Sequence, residues 1–245
     1  MGPLLFLLFI NDLPSVLDPA TQCRLFADDC LIYRSINSIS DQVTLRKDLE
    51  ALYEWGMTWG LKFNVDKCKM MHMDRRTVST PRFYTLGGEI ISSTSEAKYL
   101  GVTLSSKFGT RSSQWKAHIS DITSRANQRL GFLRRNLRGC PYRLREMGYK
   151  SLVRSLVEYS GGIWDTTVDA ERDMLEMVQH RAARWSRGAW GIISVTALLN
   201  ELNWQTLSDR RRDQRLSLFY KIINKDLNIP LSAVDLSLSS ANTKT

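Results

Sequence analysis

The sequence predicts an α+β fold in two parts, a mixed first half and a helical second half, and three observations carry that expectation. Hydrophobic residues first recur in short alternating runs broken by Gly, Asn and Asp, then switch after Ser105 to steps of three and four. Charge divides at the same place, with 11 Lys and Arg against 12 Asp and Glu before residue 106 and 23 against 13 after it. A chain of 245 residues with 43% hydrophobic and 24% charged side chains can bury a real core and is not wholesale disordered. The expected organisation is a mixed unit over 1–105, a basic helical unit over 106–227 and a polar, Ser-rich tail over 228–245.

Leu4 to Leu17 reads as a helix that tolerates Pro14 only near its end and is closed by Asp18-Pro19. Its apolar start, Leu4 to Ile10, is far short of the roughly 20 residues of a membrane span. It also lacks the basic flank and small-residue cleavage site of a secretory signal, so it reads as a buried helix of an intracellular protein with no membrane partner. Cys23, Cys30, Cys68 and Cys140 form no Cys-x-x-Cys pair and are expected as reduced thiols. Arg24 to Tyr33 has two apolar runs with small and acidic residues between them, the pattern of a hairpin. Asp41 to Gly60 carries Leu45, Leu49, Leu52 and Trp59 as a helical stripe, capped by Asp41 and stopped by Gly60. Leu61 to Met73 alternates weakly around the turn residues Asn64 to Asp66. Phe83 to Ser92 reads as a hairpin folded at Gly87-Gly88, and Tyr99 to Leu104 as another strand.

In the second half Trp115, Ile119, Ile122, Ala126, Leu130, Leu133 and Leu137 form one helical stripe, and Leu144, Leu152, Leu156 and Tyr159 a looser one. Further helices are expected over Arg172 to Trp185, Thr196 to Leu202 and Asp209 to Ile223. Trp55, Trp59, Trp115, Trp164 and Trp204 sit where a core needs them. His118 and His180 lack a nucleophile partner and read as structural. Cys68 and His72 have the spacing of half a zinc site, with no second pair nearby.

Two features carry chemistry. Arg111 to Arg154 holds 11 basic residues against only Asp121 and Glu146, and its bias to Arg suits contact with a polyphosphate as well as a solvated helical face. Asp28 and Asp29 are adjacent at the tip of the expected hairpin. Two carboxylates pressed together repel, and a divalent cation offsets that repulsion, although an Ala-Asp-Asp turn is also an ordinary structural turn.

The string Phe26-Ala27-Asp28-Asp29 within a hairpin resembles the active-site signature of reverse transcriptases. Around it stand the blocks Gly2–Pro14, Trp59–Lys69 and Tyr99–Val102, in the order found in polymerases of non-LTR (LINE-type) retrotransposons. Leu152–Tyr159, Leu175–Trp185 and Leu207–Arg212 are similar to the region that follows the polymerase core in the same elements, so the resemblance covers almost the whole chain.

That resemblance implies a partial right-hand polymerase palm, with antiparallel hairpins and helices, followed by an all-α thumb. It implies nucleotidyl transfer with Mg²⁺, where Asp28 is a direct metal ligand and Asp29 assists metal or primer placement. Lys67 would lie near the phosphates of the incoming nucleotide, and Leu100 and Gly101 would form the primer grip; a surface lysine and a tight turn are the alternatives. Arg111, Lys116, Arg125, Arg129, Arg134, Arg135 and Arg138 would track the duplex. The partners implied are an RNA template, a DNA primer or target DNA, and dNTPs. This family has a further essential aspartate, and fingers, upstream of the Gly2 block. Without that N-terminal half the chain alone is expected not to polymerise, and a non-catalytic nucleic-acid-binding remnant is the alternative.

Overall fold

Pro14 sets the end of the first helix. The structure, a computed structural model, describes residues 1–73, 83–107, 114–189, 193–227 and 229. In it helix α1 spans Gly2–Ile10 and a separate 3-10 turn spans Leu13–Val16. A proline ring cannot donate to, and clashes with, the carbonyl four residues back, which here is Ile10. The single helix expected over Leu4 to Leu17 is therefore two pieces.

The expected burial of that helix is also overturned. Only Ile10 is buried, and Leu4, Leu5, Leu7 and Leu8 are more than half exposed. The helix is apolar all round, and a single stripe meets the core of its unit. Phe9 lies on that stripe, its ring 5.8 Å from Trp55 and 6.0 Å from Trp59.

Met1–Ala97 forms one compact unit and Lys98 onward a second. The first is mixed. Strands β1 (Gln22–Phe26) and β2 (Asp29–Tyr33) make an antiparallel hairpin, followed by α2 (Ile39–Trp59). The N-cap of α2 is Ser38, and Asp41 sits three residues in, closing a reciprocal capping box; Gly60, with φ +70°, caps the other end. A 3-10 turn, Val65–Lys67, leads to β3 (Lys69–Met70). Strands β4 (Thr85–Leu86) and β5 (Glu89–Ile90) form the expected hairpin across Gly87-Gly88. Strand β6 (Ser92–Ser93) returns to pair with β3 in parallel, so the unit is not built from antiparallel hairpins alone. Ile10, Leu13, Leu17, Leu52, Trp55, Tyr84, Leu86 and Ile91 make its core, whereas Trp59, expected inside, is half exposed.

Strands β7 (Glu96–Tyr99) and β8 (Val102–Ser105) replace the single strand expected over Tyr99 to Leu104. Leu100 and Gly101 have φ of +45° and +83° and fold the chain back between them. The helices of the second unit are α3 (Lys116–Asn136), α4 (Tyr142–Gly148), α5 (Ser155–Glu158), α6 (Asp169–Arg187), α7 (Val195–Glu201) and α8 (Leu207–Ile223). The stripe of α3 is buried as expected, from Trp115 through Leu133. Between α4 and α5 the backbone widens to a π-helix over Tyr149–Arg154. There the core takes Tyr149, Val153 and Val157, all fully buried, and leaves Leu144, Leu152 and Tyr159 about half exposed. Of the looser stripe only Leu156 packs against the core, and its other three members lie on the wrong face.

Mixed helices with short strand pairs make the chain α+β. Among the described residues, no helix is long and apolar enough to cross a membrane. All four cysteines are free thiols, Cys23 and Cys30 lying 3.8 Å apart across the first hairpin.

Candidate functional site

In the β1–β2 ladder, alternation puts Cys23, Leu25, Cys30 and Ile32 on the core side and Gln22, Arg24, Phe26, Asp29 and Tyr33 on the other. Phe26 pairs with Asp29, so Ala27 and Asp28 are the whole turn. Ala27 has φ +50°, a conformation that favours Gly, and Asp28 does not share the positive sign. Both aspartates are exposed and neither forms an ion pair or side-chain hydrogen bond among the described residues. Both side chains are therefore without a charged partner among the described residues.

The open end of the same hairpin is fixed by polar contacts. Asp48, buried on α2, accepts from the Thr21 hydroxyl at 2.5 Å and from the Asp18 backbone N–H at 2.9 Å. Arg34, just past β2, donates to Asp18 at 2.7 Å and to Thr21 at 2.9 Å, and reaches Asp41 at 3.5 Å. That guanidinium, followed by the Ala20 backbone N–H, holds the Asp18 carboxyl below its ordinary range. The aspartates thus stand at the far end of a ladder whose base is clamped to α2. Sequence reasoning missed this clamp. Its visible signal was Asp48, a carboxylate one residue from Leu49 and four before Leu52 on an otherwise apolar stripe.

Asp28 and Asp29 fit a divalent cation in part. Magnesium is usually held by one or two carboxylates plus substrate phosphates and water, and two uncommitted carboxylates are here. Among the described residues, no group of three or more His, Cys, Asp or Glu side chains could hold a metal ion. Lys67 is exposed at the end of a 3-10 turn capped by Asn64, and no ion pair joins it to either aspartate.

Leu100 and Gly101 belong to the second unit, where their turn is held from outside. The Tyr159 hydroxyl donates to the Leu100 carbonyl at 3.1 Å, and a Cβ at position 101 would meet the Tyr159 ring at 3.0 Å. Only glycine combines that approach with a φ of +83°.

The basic stretch is partly spent within the fold. Arg125 pairs with Asp121 at 3.3 Å, and Arg129 donates to the Leu152 carbonyl at 2.9 Å. Arg145 donates to the carbonyls of Arg138 and Trp185, and Lys150 and Arg154 pair with Glu146 and Glu158. Lys116, Arg135 and Arg138 are exposed and form no ion pair among the described residues. Arg134 is also exposed; with Arg135 it occupies the last turn of α3, where positive charge complements the helix dipole. Arg111 lies outside the described residues.

Comparison with known proteins finds similarities over this segment and beyond it. Residues 1–104 match the family described as reverse transcriptase (RNA-dependent DNA polymerase). Over that segment the chain is similar to reverse transcriptases, and the similarity to proteins of mobile elements runs further. It is 27% identical over 244 residues to a protein named as a probable RNA-directed DNA polymerase from transposon BS of Drosophila melanogaster, which covers 93% of this chain and 26% of that protein. It is 24% identical over 225 residues to the RNA-directed DNA polymerase from mobile element jockey of the same fly, covering 86% of this chain and 23% of the relative. A probable RNA-directed DNA polymerase from transposon X-element is 24% identical over 216 residues, 85% of this chain and 23% of the relative. The chain therefore spans about a quarter of the length of the curated relatives it matches. No solved structure matches it significantly. The reverse transcriptase match takes in the Asp28-Asp29 hairpin, Lys67 and the Leu100-Gly101 turn, and the fly relatives extend the similarity through most of the basic helical unit.

Proposed function

We propose that the chain is the palm-and-thumb portion of an RNA-directed DNA polymerase of a LINE-type retrotransposon, contributing one carboxylate pair to a two-metal nucleotidyl-transfer site. The observation that carries this reading is the exposed Asp28-Asp29 pair, raised on a clamped hairpin within a segment that matches reverse transcriptases. Bound Mg²⁺ would supply activation of a primer 3′ hydroxyl and neutralisation of the triphosphate. The chain's own residues present the two carboxylates, hold them at a fixed point of the first unit through Asp48 and Arg34, and offer Lys67 to an incoming dNTP. The Leu100-Gly101 turn is the primer grip, and exposed Lys116, Arg135 and Arg138 contact the backbone of an RNA template paired with a DNA primer, inside the cell.

Among the described residues no further carboxylate joins Asp28 and Asp29 in a group that could hold a metal ion, so we propose that this chain by itself does not polymerise. The test is an extension assay on a primed RNA template with Mg²⁺, comparing this chain with the same chain joined to the upstream half of a related element. Incorporation by the joined protein alone, abolished by Asp28→Ala, supports the reading. Incorporation by the isolated chain, abolished by the same substitution, overturns its inactivity. Silence from a folded joined protein favours a non-catalytic nucleic-acid-binding module, the reading that the excess of basic residues after residue 105 supports independently.

A further inference from the structure

A two-stranded hairpin is at best marginally stable alone in water, so β7–β8 needs outside support to hold its tip in one place. The structure provides that support at two points, joined by one tryptophan. At the tip, Tyr159 donates to the Leu100 carbonyl at 3.1 Å and its ring closes over Gly101. Along β8, the Thr103 backbone N–H donates to Nδ1 of buried His118 at 3.2 Å. Trp164, fully buried, links the two: its indole N–H donates to the Tyr159 carbonyl at 2.8 Å, and its ring meets the His118 ring edge-on at 4.9 Å.

Tyr159 has features that simple packing does not require. It is about half exposed, so its burial contributes little, yet its hydroxyl reaches a carbonyl 59 positions earlier in the chain. The carbonyl it holds belongs to Leu100, a non-glycine residue at φ +45°, a conformation that reverts unless something outside the residue maintains it. A Cβ at position 101 would lie 3.0 Å from the ring, so a side chain there has to push the ring back. Tyr159 thus touches both residues of the turn, Leu100 by a hydrogen bond and Gly101 by its ring.

We propose that Tyr159 is the positioning residue of the primer grip, presenting the Leu100-Gly101 backbone to the 3′ terminus of a nucleic-acid strand. This rests on the primer-grip reading of that turn given above. The test measures binding of the full chain, by fluorescence anisotropy, to two hybrids of equal length and charge, one with a recessed DNA 3′ end on an RNA template and one blunt. Wild-type protein is expected to prefer the recessed end. Tyr159→Phe, which keeps the ring and deletes one hydrogen bond, is expected to lower affinity for the recessed end by about fivefold. Its affinity for the blunt hybrid and its melting temperature should stay unchanged. Gly101→Ala, with Tyr159 intact, is expected to lose the same preference by pushing the ring aside.

A wild-type preference that survives both substitutions overturns the role of Tyr159 and leaves the primer-grip reading standing. Absence of any preference in the wild type overturns the primer-grip reading itself, and the proposal with it. Equal loss on both hybrids, with a lowered melting temperature, shows a merely structural tyrosine and overturns the proposal.

Discussion

Phe26 and Asp29 face each other across the β1–β2 ladder, which leaves Ala27 and Asp28 as the entire connection between the strands. So short a turn fixes both aspartates relative to the strands, and it forces the first central residue to a positive φ. An alanine meets that demand at a cost that a glycine avoids.

Ala27→Gly is therefore expected to stabilise the first unit by up to about 1 kcal/mol, offset in part by the added freedom of the unfolded chain. Thermal melting checks it. An unchanged or lowered midpoint would show that the turn carries no strain at Ala27.

His118 gives the second unit an acid-sensitive point. Burial pushes its imidazole down to about 4, against the pull of Asp121 and with the help of Lys98 and Arg125. An unfolded chain would take up that proton near pH 6.5. The unfolded state binds the extra proton between those values, so this contribution is complete above pH 6.5 and is lost as pH falls towards 4. His118→Gln should flatten that part of the stability profile, followed by denaturant unfolding at several pH values.

Arg211 is fully buried, donates through Nε to Asp165 at 3.0 Å and lies 5.9 Å from the Trp164 ring. Among the described residues its two terminal nitrogens have no hydrogen-bond partner. Asp165→Ala would strand that charge and is expected to cost about 3–5 kcal/mol in urea unfolding. Arg215, which also pairs with Asp165, is half exposed, and Arg215→Ala should cost under about 1 kcal/mol.

Lys116, Arg135 and Arg138, on α3 and just past its end, are exposed and form no ion pair among the described residues, and they are the cations proposed above to meet a phosphate backbone. Replacing all three by Ala should weaken hybrid binding and lower the slope of log affinity against log salt by about 2 to 3. An unchanged slope would assign these residues to solvation and the helix dipole alone.

Much of the fold was legible because its signals are local. The Asp41 to Gly60 helix, which the structure begins slightly earlier at a Ser38 cap, the Gly87-Gly88 turn and the Trp115 to Leu133 stripe each follow from residues within a few turns of one another. The failures were of long range. Nothing near Leu4 or Leu8 says that the helix finds partners in its unit on one side only. Leu152 outranks Val153 as a core residue until the backbone widens and turns Val153 inward. The hairpin holding Asp28 and Asp29 was readable from its own letters. Its clamp was not, because Thr21, Arg34 and Asp48 meet only once the chain has folded back. Tyr159 escaped for the same reason, since its partner is Leu100.

The widened backbone at Tyr149–Arg154 has a consequence of its own. Along an α-helix, positions four apart drift by about 40° per step, so three of them would not stay in one line. A π-turn takes in extra chain per turn and cancels part of that drift, which keeps Tyr149, Val153 and Val157 on a single seam. Tyr149 is tied further, donating to Gln179 at 2.9 Å and stacking on Trp204 at 4.6 Å. What this segment encodes is arc length: its letters can vary within the seam, whereas loss of one residue would turn everything before it out of phase with everything after.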